Sequence, residues 1–163
     1  AHRIWMIDYR HILVDHPSSL HLWNRRGYFY WSYPLPTPIW QAVPSPAVKN
    51  QFFAITDEDN TTGLWIDLCP FKVKRIPLDF HADWISVLKW GYLLANPSGC
   101  LMGLNRRGRV VVRAQLPMVE GERIVALSTI ESTRLWVAIE SDGGKRLYTL
   151  DLTPYLPNSL LRF

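Results

Sequence analysis

Short apolar runs of four or five residues recur along the whole chain, separated by clusters of Pro, Ser, Asn, Asp and Gly. The first set is Ile4–Ile7, His11–Val14, Leu20–Trp23 and Tyr28–Trp31, and the second is Ile39–Val43, Gln51–Ile55, Leu64–Leu68 and Lys72–Ile76. The third is Trp84–Leu88, Tyr92–Ala95, Cys100–Leu104 and Arg109–Val112, and the fourth is Ile124–Leu127, Leu135–Ile139, Arg146–Leu150 and Ser159–Arg162. Runs of this length, rich in β-branched and aromatic residues and bounded by turn formers, predict strands. No segment carries a sustained 3.6-residue period, so an all-β chain is expected. The middle runs of each set are apolar almost throughout, as in sheets covered on both faces. The third and fourth runs carry more Arg, Lys and Tyr, as outer strands partly in solvent do.

The second half of the chain repeats the first. Pro17-Ser18, Leu20, Asn24-Arg25-Arg26-Gly27 and Leu35-Pro36 return as Pro97-Ser98, Leu101, Asn105-Arg106-Arg107-Gly108 and Leu116-Pro117. Further on, Ala54-Ile55 and Asp67-Leu68-Cys69-Pro70-Phe71 match Ala138-Ile139 and Asp151-Leu152-Thr153-Pro154-Tyr155. The spacing drifts from 80 to 81 and then 84 residues, as small loop insertions would make it. Each half contains two sets of four strands, and a period of about 40 residues per set is that of a propeller blade. The expected architecture is therefore four four-stranded antiparallel blades of a β-propeller, over residues 3–36, 37–80, 81–117 and 118–163.

The turns agree. Asn24-Arg25-Arg26-Gly27 and Asn105-Arg106-Arg107-Gly108 join third strands to fourth. Asn opens the turn through its side chain, and Gly supplies the left-handed residue of a bulged hairpin. Asp57-Glu58-Asp59-Asn60 and Ser141-Asp142-Gly143-Gly144 fill the slot between second and third strands, and Pro36 and Pro117 end fourth strands. The run from Asn96 to Val112, with its Leu-Asn-x-x-Gly hairpin, resembles a blade of the WD40-like and quinoprotein-like propeller superfamilies. The chain departs from true WD40 repeats: Asp83-Trp84 reverses their dipeptide, Leu150-Asp151-Leu152 lacks the Trp, and the Gly-His pair is missing. The resemblance implies the architecture and assigns no particular family.

Composition supports a folded chain. Apolar residues make up 48%, aromatic residues 13% and charged residues 20% of the 163 residues, which excludes a disordered tail. The net charge of +4 is spread out, with eight Lys/Arg against seven Asp/Glu in residues 1–82 and ten against seven in 83–163. No basic run marks a nucleic-acid tail. Cys69 and Cys100 occupy non-equivalent repeat positions, so they read as buried or half-buried thiols in a reducing compartment. With no signal peptide and no apolar stretch near the ~20 residues of a membrane span, a cytoplasmic protein is expected. The chain starts at Ala1, close to a repeat boundary, which suggests the last four blades of a larger ring. The remaining blades are then expected from another segment or a partner chain, because open blade edges invite association.

Candidate chemistry is sparse. His11, His16 and His21, five residues apart, are expected on different faces and loops. His2 and His81 lie near repeat starts. Neither set has the paired spacing of a metal site. No Ser, Cys or Thr sits in a nucleophile elbow, and Gly143-Gly144-Lys145 joins two strands where a phosphate loop would open a helix. Asp57/Asp59 and Glu120/Glu122 lack the register of a calcium loop. The expectation is a non-catalytic domain with no cofactor and no metal.

Binding candidates are better defined. Arg25, Arg26, Arg106 and Arg107, with Tyr28 or Arg109 just beyond, would project from one rim two blades apart, toward an acidic protein surface or phosphates. The strip Tyr28-Phe29-Tyr30-Trp31-Ser32-Tyr33 is a second candidate. Strict alternation would send Tyr28 and Tyr30 one way and Phe29, Trp31 and Tyr33 the other, one set packed and one exposed. Its counterparts Arg109–Ala114 carry no such aromatic load. The expected function is an interaction or scaffold domain that completes a propeller and binds a protein partner through its rim or open edge. The alternatives are a nucleic-acid-associated subunit using the Arg hairpins and a small-ligand or sugar-binding propeller.

Overall fold

A computed structural model describes residues 3–7, 10–35, 37–45, 49–57, 61–68 and 70–160. The expectations at His2, Pro36, Glu58-Asp59-Asn60, Cys69 and Leu161-Arg162 lie outside the described residues. Fifteen strands form among them, and every pairing is antiparallel between chain neighbours. The first sheet holds β1 (Ile4–Met6), β2 (His11–His16), β3 (Ser19–Asn24) and β4 (Phe29–Pro34). The second holds β5 (Ile39–Pro44), β6 (Gln51–Thr56), β7 (Thr62–Leu68) and β8 (Phe71–Pro77). The third holds β9 (Trp84–Leu88), β10 (Gly91–Ala95), β11 (Cys100–Asn105) and β12 (Val110–Gln115), and the fourth β13 (Arg123–Glu131), β14 (Arg134–Ser141) and β15 (Gly144–Asp151). Among the described residues, fifteen of the sixteen expected strands are present.

The exception is the fourth strand of the fourth sheet. Where Ser159–Arg162 was expected to be extended, Asn158–Leu160 forms a 3₁₀ turn, preceded by another at Thr153–Tyr155. Pro154 and Pro157 explain this. Each lacks an N–H for a ladder, and Pro154 sits in the first turn of its 3₁₀ helix, where a fixed φ is an advantage. Asp151 Oδ1 accepts from the Thr153 N–H at 2.9 Å and turns the chain out of the sheet.

The chain divides into two compact units, residues 1–44 with 50–77 and residues 78–163 with 45–49. In the first unit, Leu13, Leu20 and Leu22 pack with Phe52, Ala54, Leu64 and Ile66 of the next sheet in one core cluster. Arg3 and Asp15 fasten that pair. The Arg3 guanidinium donates to the Ile39 carbonyl at 3.1 Å, and buried Asp15 accepts from the Ile39 N–H at 3.3 Å. In the second unit, Leu93, Leu101 and Val112 pack with Ile124, Leu135 and Val137. Burial grades outward as expected: β6 and β10 are buried at every residue, β4 and β8 mostly are not. Among the described residues, no helix is long and apolar enough to cross a membrane.

The structure refines the repeat. The Leu68 N–H donates to the Asn50 carbonyl and the Leu152 N–H to the Thr133 carbonyl, both at 2.7 Å. β6 therefore aligns with β14 at a spacing one residue shorter than the Ala-Ile match implies, with Phe52 and Ala54 facing the core as Leu135 and Val137 do. Bulges repeat as well. One falls at Tyr30 in β4 and at Val111 in β12, another at Trp40 in β5 and at Val125 in β13.

Two substitutions test this packing by chemical denaturation. Leu20→Ala, at a fully buried position, is expected to lower stability by about 2–5 kcal/mol. Gly91→Ala should cost at least as much, because a Cβ there falls inside contact with the Leu104 carbonyl oxygen and 2.9 Å from Asn105 Cα. Near-native stability of both variants would refute the sheet register.

Candidate functional site

Both Arg hairpins are built by the same device. Asn24 Oδ1 accepts from the Arg26 and Tyr28 amides at 2.9 Å each, and Asn105 Oδ1 accepts from the Arg107 and Arg109 amides at 2.9 and 3.0 Å. Gly27 and Gly108 close the turns at φ of 86° and 75°, each donating to its Asn carbonyl. A third copy, not anticipated from the sequence, folds Asn96-Pro97-Ser98-Gly99, where Asn96 Oδ1 accepts from the Cys100 amide at 2.9 Å. The hairpins hold their arginines at exposed tips. Arg25-Arg26 lies in the first unit and Arg106-Arg107 in the second.

Their surroundings differ. At the second hairpin, Arg106 Nε donates to the Lys89 carbonyl at 2.7 Å. An open cavity of about 290 Å³ lies among Trp90, Arg106, Arg107, Arg109, Ser159 and Leu160. At the first hairpin a groove of about 360 Å³ runs from Arg25 along Ile12, Val14, His16 and Trp23. Sequence reading named the arginines and missed Trp90 and Leu160, because neither lies near the hairpin in the chain.

The aromatic strip is corrected by the bulge at Tyr30. Trp23 pairs with Phe29 and Leu22 with Trp31, so Phe29 and Trp31 face opposite sides of the sheet. Trp31 shares the core face and stacks on Phe71 of β8 at 3.7 Å between centroids. Tyr33 meets Phe71 edge-on and lies under the Arg75 guanidinium. Phe29 turns to the other face, edge-on to Trp23 and His21 at 5.2 and 5.5 Å. Tyr28 and Tyr30 are exposed.

That other face of the first sheet is apolar and open. Ile4 is 65% exposed, Met6 60% and Phe29 49%, beside the half-buried Ile12, Val14 and Trp23. The histidines need correction too. His16 and His21 sit on this one face with ring centroids 3.9 Å apart, because the β2–β3 hairpin makes them diagonal neighbours. His21 Nε2 lies 2.8 Å from Ser19 Oγ. Burial chiefly, and His16 secondarily, hold the His21 imidazole below its ordinary pKa. Among the described residues no three His, Cys, Asp or Glu side chains converge as metal ligands would. Cys100 is a half-buried free thiol, its Sγ 3.0 Å from Gln115 Oε1.

Comparison with known proteins identifies the fold. No family model matches the chain, and no curated protein does. Solved propeller domains match it across most of its length. The Neurospora crassa Pan2 WD40 domain superposes with a TM-score of 0.64 at 12% identity, covering 94% of this chain and 49% of that one. BamB from Moraxella catarrhalis gives 0.65 at 17%, covering 91% and 49%. The Myceliophteria thermophila Cps50 (Swd1) β-propeller domain gives 0.56 at 18%, covering 80% and 45%. The fold is that of β-propeller blades, and the chain spans about half the length of the propellers it matches.

A pH dependence follows from His21. The unfolded chain takes up a proton there near pH 6.5, the folded chain only at lower pH. Its contribution to stability is complete above that value and is lost as pH falls from the unfolded toward the folded pKa. Thermal melts of the wild type should therefore drop more steeply below about pH 6.5 than those of His21→Gln, and parallel curves would contradict the assignment.

Proposed function

We propose that this chain is a non-catalytic interaction scaffold, part of a larger propeller ring, that binds a protein partner through its Arg-bearing hairpins. The open apolar face of the first sheet carries the ring-completion part of this reading, and the exposed arginines of the hairpins the partner-binding part. Ile4, Met6, Phe29, Ile12, Val14 and Trp23 form a surface of the same make as the faces that pack inside each unit. An exposed sheet face of this make marks a surface that another segment or chain covers. The outer face of the last sheet is mixed, with Trp136 at 44% and Leu147 at 64% exposure set among Ser128, Thr149, Glu140 and Lys145. Further blades, from another segment or a partner chain, cover the open face of the first sheet, while the exposed hairpin tips meet an acidic surface. A cytoplasmic setting belongs to the same reading, since the free Cys100 thiol persists in a reducing compartment.

Two sets of variants separate the surfaces, using the complex purified from the source cells. Met6→Glu with Phe29→Glu should release the chain from the blades that complete it. Arg25, Arg26, Arg106 and Arg107 changed together to Ala should leave that assembly intact and abolish binding of the outer partner. If the Arg variant instead loses affinity only for RNA or DNA, with a steep salt dependence in the wild type, the nucleic-acid alternative replaces this one.

A further inference from the structure

We infer that the cavity beside the second Arg hairpin is a docking site for an acidic peptide segment that inserts one apolar side chain. This deepens the reading above and rests on it. The cavity is lined by three arginines, Arg106, Arg107 and Arg109, and none of its described lining residues carries a carboxylate. Elsewhere in the same unit, arginines have found acids: Arg113 pairs with Asp79, Arg123 with Glu140 and Arg134 with Glu131. Arg107 and Arg109 have no side-chain ion pair among the described residues. Arg106 spends its Nε on the Lys89 carbonyl, which fixes the group and leaves its terminal amino groups for a carboxylate.

The site is stiff before anything binds. Asn105 Oδ1 holds the amides of both Arg107 and Arg109, and the Asn105 N–H donates to the Arg109 carbonyl at 2.8 Å. A preorganised tip loses less freedom on binding than a flexible one. The floor is apolar. Trp90 is almost fully buried and its indole N–H already donates to the Ser132 carbonyl at 2.9 Å, so it offers the cavity only ring carbon. Leu160 and Ser159 complete the lining, Leu160 adding to its apolar part. A volume of about 290 Å³ suits one or two side chains of a peptide.

Nucleic acid fits less well. Three clustered cations neutralise too few phosphates for a salt-driven interface, and the Trp90 ring is too buried to stack a base. The first hairpin lacks the combination: Tyr28 stands where Arg109 does, and its groove is lined by Ile12, Val14 and Trp23. The two copies of the repeat have therefore diverged at this point, and only the second carries the site.

The test is fluorescence anisotropy of the 163-residue chain with a fluorescein-labelled peptide, Asp-Glu-Asp-Leu-Glu-Asp. Arg107→Glu with Arg109→Glu should weaken binding by more than about tenfold. Leu160→Asp should weaken it as well, and replacing the peptide's Leu by Ser should do the same. Lys72→Glu, at an exposed cation on β8 outside both hairpins, should change nothing, and Arg109→Lys, which keeps the charge, should retain most of the affinity. Matching circular-dichroism melts show that the variants fold. Binding that is indifferent to Arg107 and Arg109 but lost with Arg25→Glu/Arg26→Glu overturns this site while sparing the scaffold reading. No binding by the folded wild type, or displacement of the peptide by an oligothymidylate at lower concentration, overturns the site as well.

Discussion

A four-stranded sheet with two apolar faces cannot bury either by itself, and the rest of this molecule follows from that constraint. Leu13, Leu20 and Leu22 are buried because Phe52, Ala54, Leu64 and Ile66 lie against them, and Leu93, Leu101 and Val112 because Leu135 and Val137 do. Each fully buried aliphatic side chain contributes about 1.5–3 kcal/mol only when its cover is present. The polar contacts serve the same end. Arg3 and Asp15 grip the backbone of Ile39, the residue that starts the covering sheet. Where the cover is missing, at Ile4, Met6 and Phe29 of the first sheet, the same construction leaves an apolar surface facing water.

What the sheets bury leaves the hairpin tips as the places where charge can be displayed without cost to the core. The Asn-x-x-Gly turn makes those tips rigid by spending one side-chain oxygen on two amides. Identical backbones then carry different chemistry. The first tip continues into Tyr28, Phe29 and Tyr30, the second into Arg109 and the Val-rich β12. One repeat thus supports an aromatic, histidine-bearing face, and the other a cluster of arginines over a buried tryptophan.

Strand positions were legible in the sequence because apolar runs and turn residues alternate so regularly, and the repeat fixed how the runs group into blades. Bulges were not legible. An extra residue at Tyr30 leaves no mark in composition, yet it moves Trp31 from the side of Phe29 to the side of Leu22 and reverses the expected facing of the aromatic strip. The His16–His21 pair escaped for a related reason, since a spacing of five becomes a contact only across a tight hairpin. Ser159–Leu160 looked like a strand on apolarity alone, and the prolines at 154 and 157 decided otherwise. The arginines of the second hairpin were visible, whereas Trp90 and Leu160 join them only through the fold.

The mass of the chain in solution, by light scattering at low micromolar concentration, tests the uncovered face most directly. If that face is a docking surface for further blades, the chain forms dimers or larger species, or is found in stoichiometric complex with a second chain when taken from its source. A stable, monodisperse monomer of 18.9 kDa would show that the exposed face of the first sheet needs no cover, and would contradict the constraint from which the functional reading starts.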